Sequence, residues 1–423
     1  LEIALALRCS QIFRLLGEYR FAMTSESTVE SPAEPPIPTT GASRIDSLDV
    51  LRGFAVLMIF VVNIKMMANG YNHYADRFLW EGQYDQAIGY LLNLFVHGKF
   101  VTSFTALFGA CLALLLAREQ PIPLPVVLRR VFWLAIFGAL HLIFIREGDI
   151  LIHYALVGFV AIFFVRLSAV SLIGVGVALQ VGLFIAGIIF PVTYEDIPIL
   201  WQDGPKMHLE VERIMLGTLA EQVSARIDAI RFYMLDLLIF GRGWIDKLSI
   251  MIIGMGLLKN GFLKGSLSTK SYWQLAGIGA IAAFGLVGAR LIGLGGSTVA
   301  DLVINVLWTL HILGGALFCS ALTIGCVKAG WQARSLAAVG RTAFTVYILQ
   351  SVIGLALFSS LGLGLFGQLS LASLTVITVV VFVVFLIAAP LWLRRFRFGP
   401  LEWIWRSLTY GQVQRMSRAT VPG

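Results

Sequence analysis

From residue 50 onward, long apolar stretches alternate with short polar breaks. A hydrocarbon core about 30 Å thick takes about 20 helical residues to cross, and within it the backbone amides must be satisfied inside the chain. Stretches of this length therefore predict spanning helices, at 50–68, 87–116, 126–145, 150–166, 169–191, 235–258, 272–293, 302–327, 335–358 and 370–393. The fold class expected is all-α, a polytopic transmembrane helix bundle of about ten spans. Residues 44–393 form this bundle. Its long connection, 192–234, carries Leu209, Ile214, Leu216, Leu219 and Val223 at irregular helical spacing, which predicts an amphipathic helix lying on the outer face.

Basic residues fall at alternate breaks. Arg118, Arg129 and Arg130, then Arg166, then Lys259, Lys264 and Lys270, then Lys328 and Arg334, and finally Arg394, Arg395 and Arg397 mark one side. Cytoplasmic loops retain Lys and Arg, so that side is expected inside, with both termini cytoplasmic and the acidic 192–234 connection outside. Residues 1–43, with Pro32, Pro35, Pro36 and Pro38, are too polar and proline-rich to bury a core and predict a disordered cytoplasmic tail. The apolar run at its start is broken by Arg8, Arg14 and Arg20, which excludes a span, and Met23 is an alternative start. Residues 394–423 predict a cytoplasmic interfacial segment.

Composition agrees. Of 423 residues, 58% are hydrophobic and only 13% charged, with a mean hydropathy of +0.84, far from the soluble average of about 25% charged. The net charge of +8 then reads as topology rather than as a nucleic-acid surface, since no basic stripe interleaved with aromatics occurs. The four cysteines form no C-x-x-C pair and suggest no metal site. There is no phosphate-binding G-x-x-x-x-G-K-[ST] loop and no G-x-S-x-G elbow.

Polar residues inside apolar stretches are the candidates for chemistry, because each needs a partner in a dry medium. In the first stretch Asp46 and Asp49 suit a helix start, whereas Arg52 must pair or face a cavity, and Asn63 shares its face. In the second, His97 and Lys99 stand two apart. His97 reads either as a core histidine bonded to a carbonyl or as a general base. Asp149 and His153 stand at i and i+4, close enough for the carboxylate to orient the imidazole, although an Asp after Gly148 also makes an ordinary helix cap. His141 has a bland account as a cation near a helix C-terminus. Tyr154 follows His153, and Tyr347 and Gln350 lie deep in the ninth stretch, where such groups commonly join helices. Glu402 and Arg406 are spaced to pair at i and i+4, and Trp403 and Trp405 suit an interfacial anchor.

Taken together, Arg44-Ile-Asp-Ser-Leu-Asp-Val-Leu-Arg-Gly53, His97-Gly-Lys-Phe100 with Leu107-Phe-Gly109, Gly148-Asp-Ile-Leu151 with Tyr154-Ala-Leu156, Gly340-Arg341, and Gly399-Pro-Leu-Glu-Trp403 with Arg406 resemble the YeiB-like family of bacterial membrane proteins. Through the Leu-Asp-x-Leu-Arg-Gly start the family is distantly similar to the transmembrane acyltransferases that include heparan-alpha-glucosaminide N-acetyltransferase. That resemblance implies transfer of an acetyl or similar group from cytoplasmic acyl-CoA to an extracytoplasmic hydroxyl or amine, with a histidine as the key residue. By approximate position the role falls on His97, without the His-Ala-Ser-Trp-Asn-Gly setting of the lysosomal enzyme. Asp149 and His153 are the further catalytic candidates. Arg52, Lys99, Arg341, Arg394, Arg395 and Arg397 are candidates for the CoA phosphates, and Asn63, Tyr154, Tyr347 and Gln350 for the acceptor. The expected setting is the bacterial inner membrane, with lipids and a small-molecule or glycan acceptor as partners, no nucleic acid and no metal, and homo-oligomers open. A proton-coupled small-solute transporter lined by Arg52, His97, Lys99 and Asp149 is the rival reading, and a non-catalytic sensor or assembly partner a third.

Overall fold

The computed structural model describes residues 46–70, 82–117, 120–146, 148–189, 213–228, 242–285 and 298–418. The predicted tail, 1–43, and residues 192–212 and 229–234 of the long connection lie outside the described residues. What is described is helical, with an isolated antiparallel bridge between Phe396 and Ser417. We number the helices α1 Asp46–Asn69, α2 Gln83–Phe95, α3 Lys99–Leu116, α4 Leu124–Phe144, α5 Leu151–Ala161, α6 Ala169–Ile189, α7 Arg242–Lys259, α8 Thr269–Ala280, α9 Thr298–Lys328, α10 Arg334–Arg341, α11 Ala343–Phe358, α12 Leu371–Arg395 and α13 Pro400–Tyr410.

Helix occupies most of the described part of every predicted stretch. Among the described residues six helical segments are long and apolar enough to cross a membrane, and seven if the bent pair α10 and α11 is one span. The protein is therefore a polytopic membrane protein. The stretch 87–116 is broken between α2 and α3 at Gly98, whose φ is 75°. The stretch 335–358 turns by 82° between α10 and α11.

Small residues set the packing. A Cβ built on Gly340 of α10 would stand 1.8 Å from the Asp49 carbonyl oxygen of α1, and one on Gly53 would stand 2.0 Å from that of Leu336. Two backbones thus touch at a reciprocal glycine pair. This is how membrane helices gain dispersion contact where lipid gives no hydrophobic drive between them. Gly109 of α3 and Gly254 of α7 repeat the arrangement.

Helix starts are held by carboxylates from elsewhere in the chain. Asp85 of α2 accepts from Leu371 N at 2.9 Å and Ala372 N at 3.0 Å, satisfying the exposed amides of α12. Glu402 of α13 accepts from Phe344 N at 2.7 Å, Thr345 N at 3.1 Å and the Thr345 hydroxyl, and so fixes the start of α11 beyond the bend. The sequence spacing pairs Glu402 with Arg406; in the structure both Glu402 oxygens turn to α11, while Arg406 lies over the Phe398 ring at 4.6 Å. Two orphan backbone amides outweigh one half-exposed ion pair.

Residues 219–228 of the long connection are helical. Their start is a reciprocal cap, in which Glu221 Oε2 accepts from Thr218 N and Oγ1, both at 2.8 Å. Those bonds hold the Glu221 carboxyl below the usual carboxylate range. The segment does more than lie on a surface. Gln222 donates to the carbonyl of Gly217 and the hydroxyl of Ser360, and the buried Arg226 reaches Phe144 O at 3.3 Å and Gln222 Oε1 at 3.0 Å. It thereby ties the ends of α4 and α11 together. Arg226→Met should leave those acceptors unsatisfied, costing about 2 kcal/mol or more. We expect a lower thermal midpoint and faster proteolysis within 213–228.

Candidate functional site

Three polar clusters lie among apolar helices. The first forms where α4 meets the start of α5. A Cβ on Gly138 of α4 would stand 2.8 Å from Asp149 Oδ2, so the missing side chain makes room for the carboxylate. Asp149 Oδ2 accepts from Ile152 N at 2.7 Å, capping α5. Its Oδ1 lies 2.8 Å from His141 Nδ1 and accepts from the Tyr347 hydroxyl at 3.3 Å. Asp149 is 1% exposed and His141 2%. A carboxylate accepts, so Nδ1 carries the proton, and in the neutral ring Nε2 is left with its lone pair.

What surrounds this pair is unsatisfied. His141 Nε2, Arg146 Nη1 and both amide atoms of Gln350 are buried without a hydrogen-bond partner. Gln350 follows Tyr347 by three residues on α11 and so shares its face, and Arg146 is near enough to act electrostatically on the Tyr347 hydroxyl. Its other terminal nitrogen touches Met66 Sδ of α1 at 3.6 Å. Buried polar groups are nearly always partnered, and each one left alone costs about 1 to 3 kcal/mol. Several such groups together on α4, α11 and the α4–α5 turn mark a place built to receive polar atoms that the chain does not supply.

The second cluster is rich in arginine. Arg52 Nη1 is 3.1 Å from Asp49 Oδ1 and its Nη2 donates to Cys111 Sγ at 3.0 Å. The α1–α10 crossing places Arg341, at the end of α10, close by. Arg130 stacks over Trp405 at 3.7 Å while the Trp405 indole donates to Arg130 O. Arg394 and Arg395 are exposed at the end of α12, with Arg397 just beyond.

The third cluster lies at the α2–α3 break. Lys99 Nζ is 2.8 Å from His311 Nε2 of α9 and 3.4 Å from the carbonyls of Asn93 and His97. His311 Nδ1 bonds the Ala283 carbonyl, which makes Nδ1 the donor and Nε2 the acceptor from the ammonium. Lys65 of α1 is within electrostatic reach of His97.

The predicted site residues therefore separate. Asp149 and Tyr347 come together, and Gln350 follows one turn along α11. His153 does not join them, because its Nδ1 bonds the backbone carbonyl of Asp149 at 2.8 Å and the carboxylate serves His141 instead. Tyr154 is occupied on α3, at 2.7 Å from the Thr105 hydroxyl and 3.3 Å from Val101 O. Asn63 is half-buried, one turn before Met66. His97 and Lys99 belong to the third cluster, and Arg52, Arg341, Arg394, Arg395 and Arg397 to the arginine-rich end. The sequence pattern points to a helix-end role for His141 and does not single out Arg146, Lys65 or His311. His311 carried the same signal as His97, a histidine inside an apolar stretch. Among the described residues no group of three or more His, Cys, Asp or Glu is placed to hold a metal.

A family model described as a protein of unknown function, DUF418, matches residues 257–412. The uncharacterized protein YeiB of Escherichia coli is 30% identical over 384 residues, covering 86% of this chain and 95% of its own. The uncharacterized protein YxaH of Bacillus subtilis is 28% identical over 418 residues, covering 90% and 98%. An uncharacterized 39.9 kDa protein from the amylase 3' region of Bacillus acidopullulyticus is 26% identical over 382 residues, covering 87% and 94%. No solved structure matches the chain.

Proposed function

We propose, for a chain that belongs to the YeiB-like family of polytopic membrane proteins, an acyl transfer across the membrane: an acetyl or similar group passes from cytoplasmic acyl-CoA to a hydroxyl or amine acceptor presented outside. The observation that carries this reading is the buried His141–Asp149 pair with Nε2 unpartnered. A carboxylate on Nδ1 fixes the tautomer that leaves Nε2 basic, which is the arrangement a general base needs. In the step proposed, Nε2 takes the acceptor's O–H or N–H proton as its heteroatom bonds to the thioester carbonyl carbon. The carbon–sulfur bond then breaks, and the CoA thiolate leaves with the proton returned from the imidazolium. The Gln350 amide, with its N–H donors unused, is suited to the oxygen that becomes negative on the way.

The arginine-rich end supports the donor side. Placed in the cytoplasm by the positive-inside rule, it offers Arg341, Arg394, Arg395 and Arg397 to phosphates, whereas Arg52 is already balanced by Asp49. From Arg130 to His141, α4 rises roughly 16 Å at about 1.5 Å per residue, a distance an extended pantetheine arm can cover. Coenzyme A should raise the thermal midpoint of the purified protein. In an Arg394→Gln, Arg395→Gln double variant its affinity should fall by about tenfold or more, since a charge-assisted bond contributes about 1.5 to 3 kcal/mol. A midpoint indifferent to coenzyme A removes the donor and leaves the transporter reading.

A further inference from the structure

The cluster at the α2–α3 break takes no part in the transfer step, yet its charges are all of one sign. Lys65 is 4% exposed, Lys99 1% and His311 4%, and His97 stands close enough to Lys65, Lys99 and His311 to interact electrostatically with each. No Asp or Glu among the described residues makes a hydrogen bond or ion pair to Lys65 or Lys99. The two lysines differ in one respect. Lys99 spends its ammonium on two carbonyls and the His311 ring, whereas the Lys65 ammonium meets no hydrogen-bond partner among the described residues.

Backbone geometry sharpens this. Lys99 is the first residue of α3, where the aligned peptide dipoles already present positive charge, so a buried lysine there has the wrong sign for its surroundings. The chain nevertheless makes room for it. A Cβ on Gly315 of α9 would stand 2.4 to 2.7 Å from the Lys99 stem, and the missing side chain lets the stem pass on to His311, one turn back. Gly98, at φ 75°, opens the break and lies against Ile312. Two ammonium groups, two imidazoles and a helix start thus converge in an apolar interior, and among the described residues no acidic side chain bonds either lysine. An ammonium held in such a place without a partner is unfavourable.

We infer that Lys65, His97, Lys99 and His311 form a binding site for the carboxylate or phosphate group of a small anionic ligand, with Lys65 its principal ion-pair partner. The site goes beyond the transfer reading and does not depend on it.

The test uses the full chain in detergent and compares sodium acetate, sodium phosphate and sodium chloride at matched ionic strength by thermal unfolding. Acetate or phosphate should raise the midpoint above the chloride control, and which of the two does so names the oxyanion. Lys65→Met should weaken that response at least tenfold in anion concentration, while Lys270→Gln, at an exposed position, leaves it unchanged. Without anion, Lys65→Met should melt about 2 °C or more above the parent, because an uncompensated buried charge has been removed. Three results would overturn the site: no preference for either oxyanion over chloride, a preference that survives in Lys65→Met, or a ligand-free Lys65→Met that is destabilised or fails to fold, which would mean the ammonium is paired within the chain.

Discussion

With His141 replaced by glutamine or alanine, acyl transfer should fall by about a hundredfold or more, while coenzyme A still shifts the thermal midpoint. This is the scale on which a positioned general base contributes. His141→Gln is the more informative variant because it keeps most of the volume and a donor able to reach Asp149, yet has no basic nitrogen. Asp149→Asn should act in the same direction by a different route. An amide can donate to Nδ1, which drives the proton to Nε2 and removes the lone pair that the step needs. His153→Gln, by contrast, changes a side chain whose Nδ1 bonds the backbone carbonyl of Asp149 rather than its carboxylate and should leave transfer within about threefold. Transfer assays on the purified variants decide this. If His141→Gln turns over normally and His153→Gln does not, the roles assigned here are reversed.

Gly340→Val should abolish the folded protein. Even a single added carbon at this position would sit 1.8 Å from the Asp49 carbonyl oxygen, and the obstacle is backbone with no rotamer to yield. Overpacking against movable side chains costs about 1 to 3 kcal/mol; here α1 and α10 must part, and with them the bend that sets α11 and Tyr347. Gly174→Ala in α6 provides the control, since a Cβ there meets nothing within 4 Å and helix propensity favours alanine by about 1 kcal/mol. Detergent-resistant monodisperse protein on size-exclusion chromatography should be recovered for Gly174→Ala and lost for Gly340→Val.

The contrast between these two experiments shows what the sequence made legible. Helix locations were readable because apolar length is a one-dimensional signal, and the predicted stretches fall mostly on helix where the chain is described. The breaks inside them were not. The apolar stretch resumes on both sides of His97-Gly98-Lys99 and so reads as one span, and the 82° turn at Thr342 involves neither proline nor an adjacent glycine at the bend. It is held by Glu402, some sixty positions away in the chain, through bonds to Phe344 and Thr345. The same limit applied to the site. For Asp149 the spacing rule points to His153, four residues on, whereas the structure pairs the carboxylate with His141 across a turn. What decides for His141 is the approach of α4 to α5 at Gly138, a tertiary fact. Lys65 is missed for another reason: a lysine near the end of a span ordinarily extends its ammonium to the membrane surface, and only the structure shows this side chain to be buried.

The central claim, that a membrane-buried histidine–aspartate pair passes an acyl group from one face to the other, is tested most directly in sealed proteoliposomes with labelled acetyl-CoA confined to the side of the arginine-rich end and a panel of hydroxyl and amine acceptors on the opposite side. The account predicts label covalently attached to an acceptor outside, free coenzyme A accumulating on the donor side in equal amount, and neither in vesicles carrying His141→Gln. Intact solute crossing the bilayer with no acetyl group transferred, or equal transfer by His141→Gln, would contradict it.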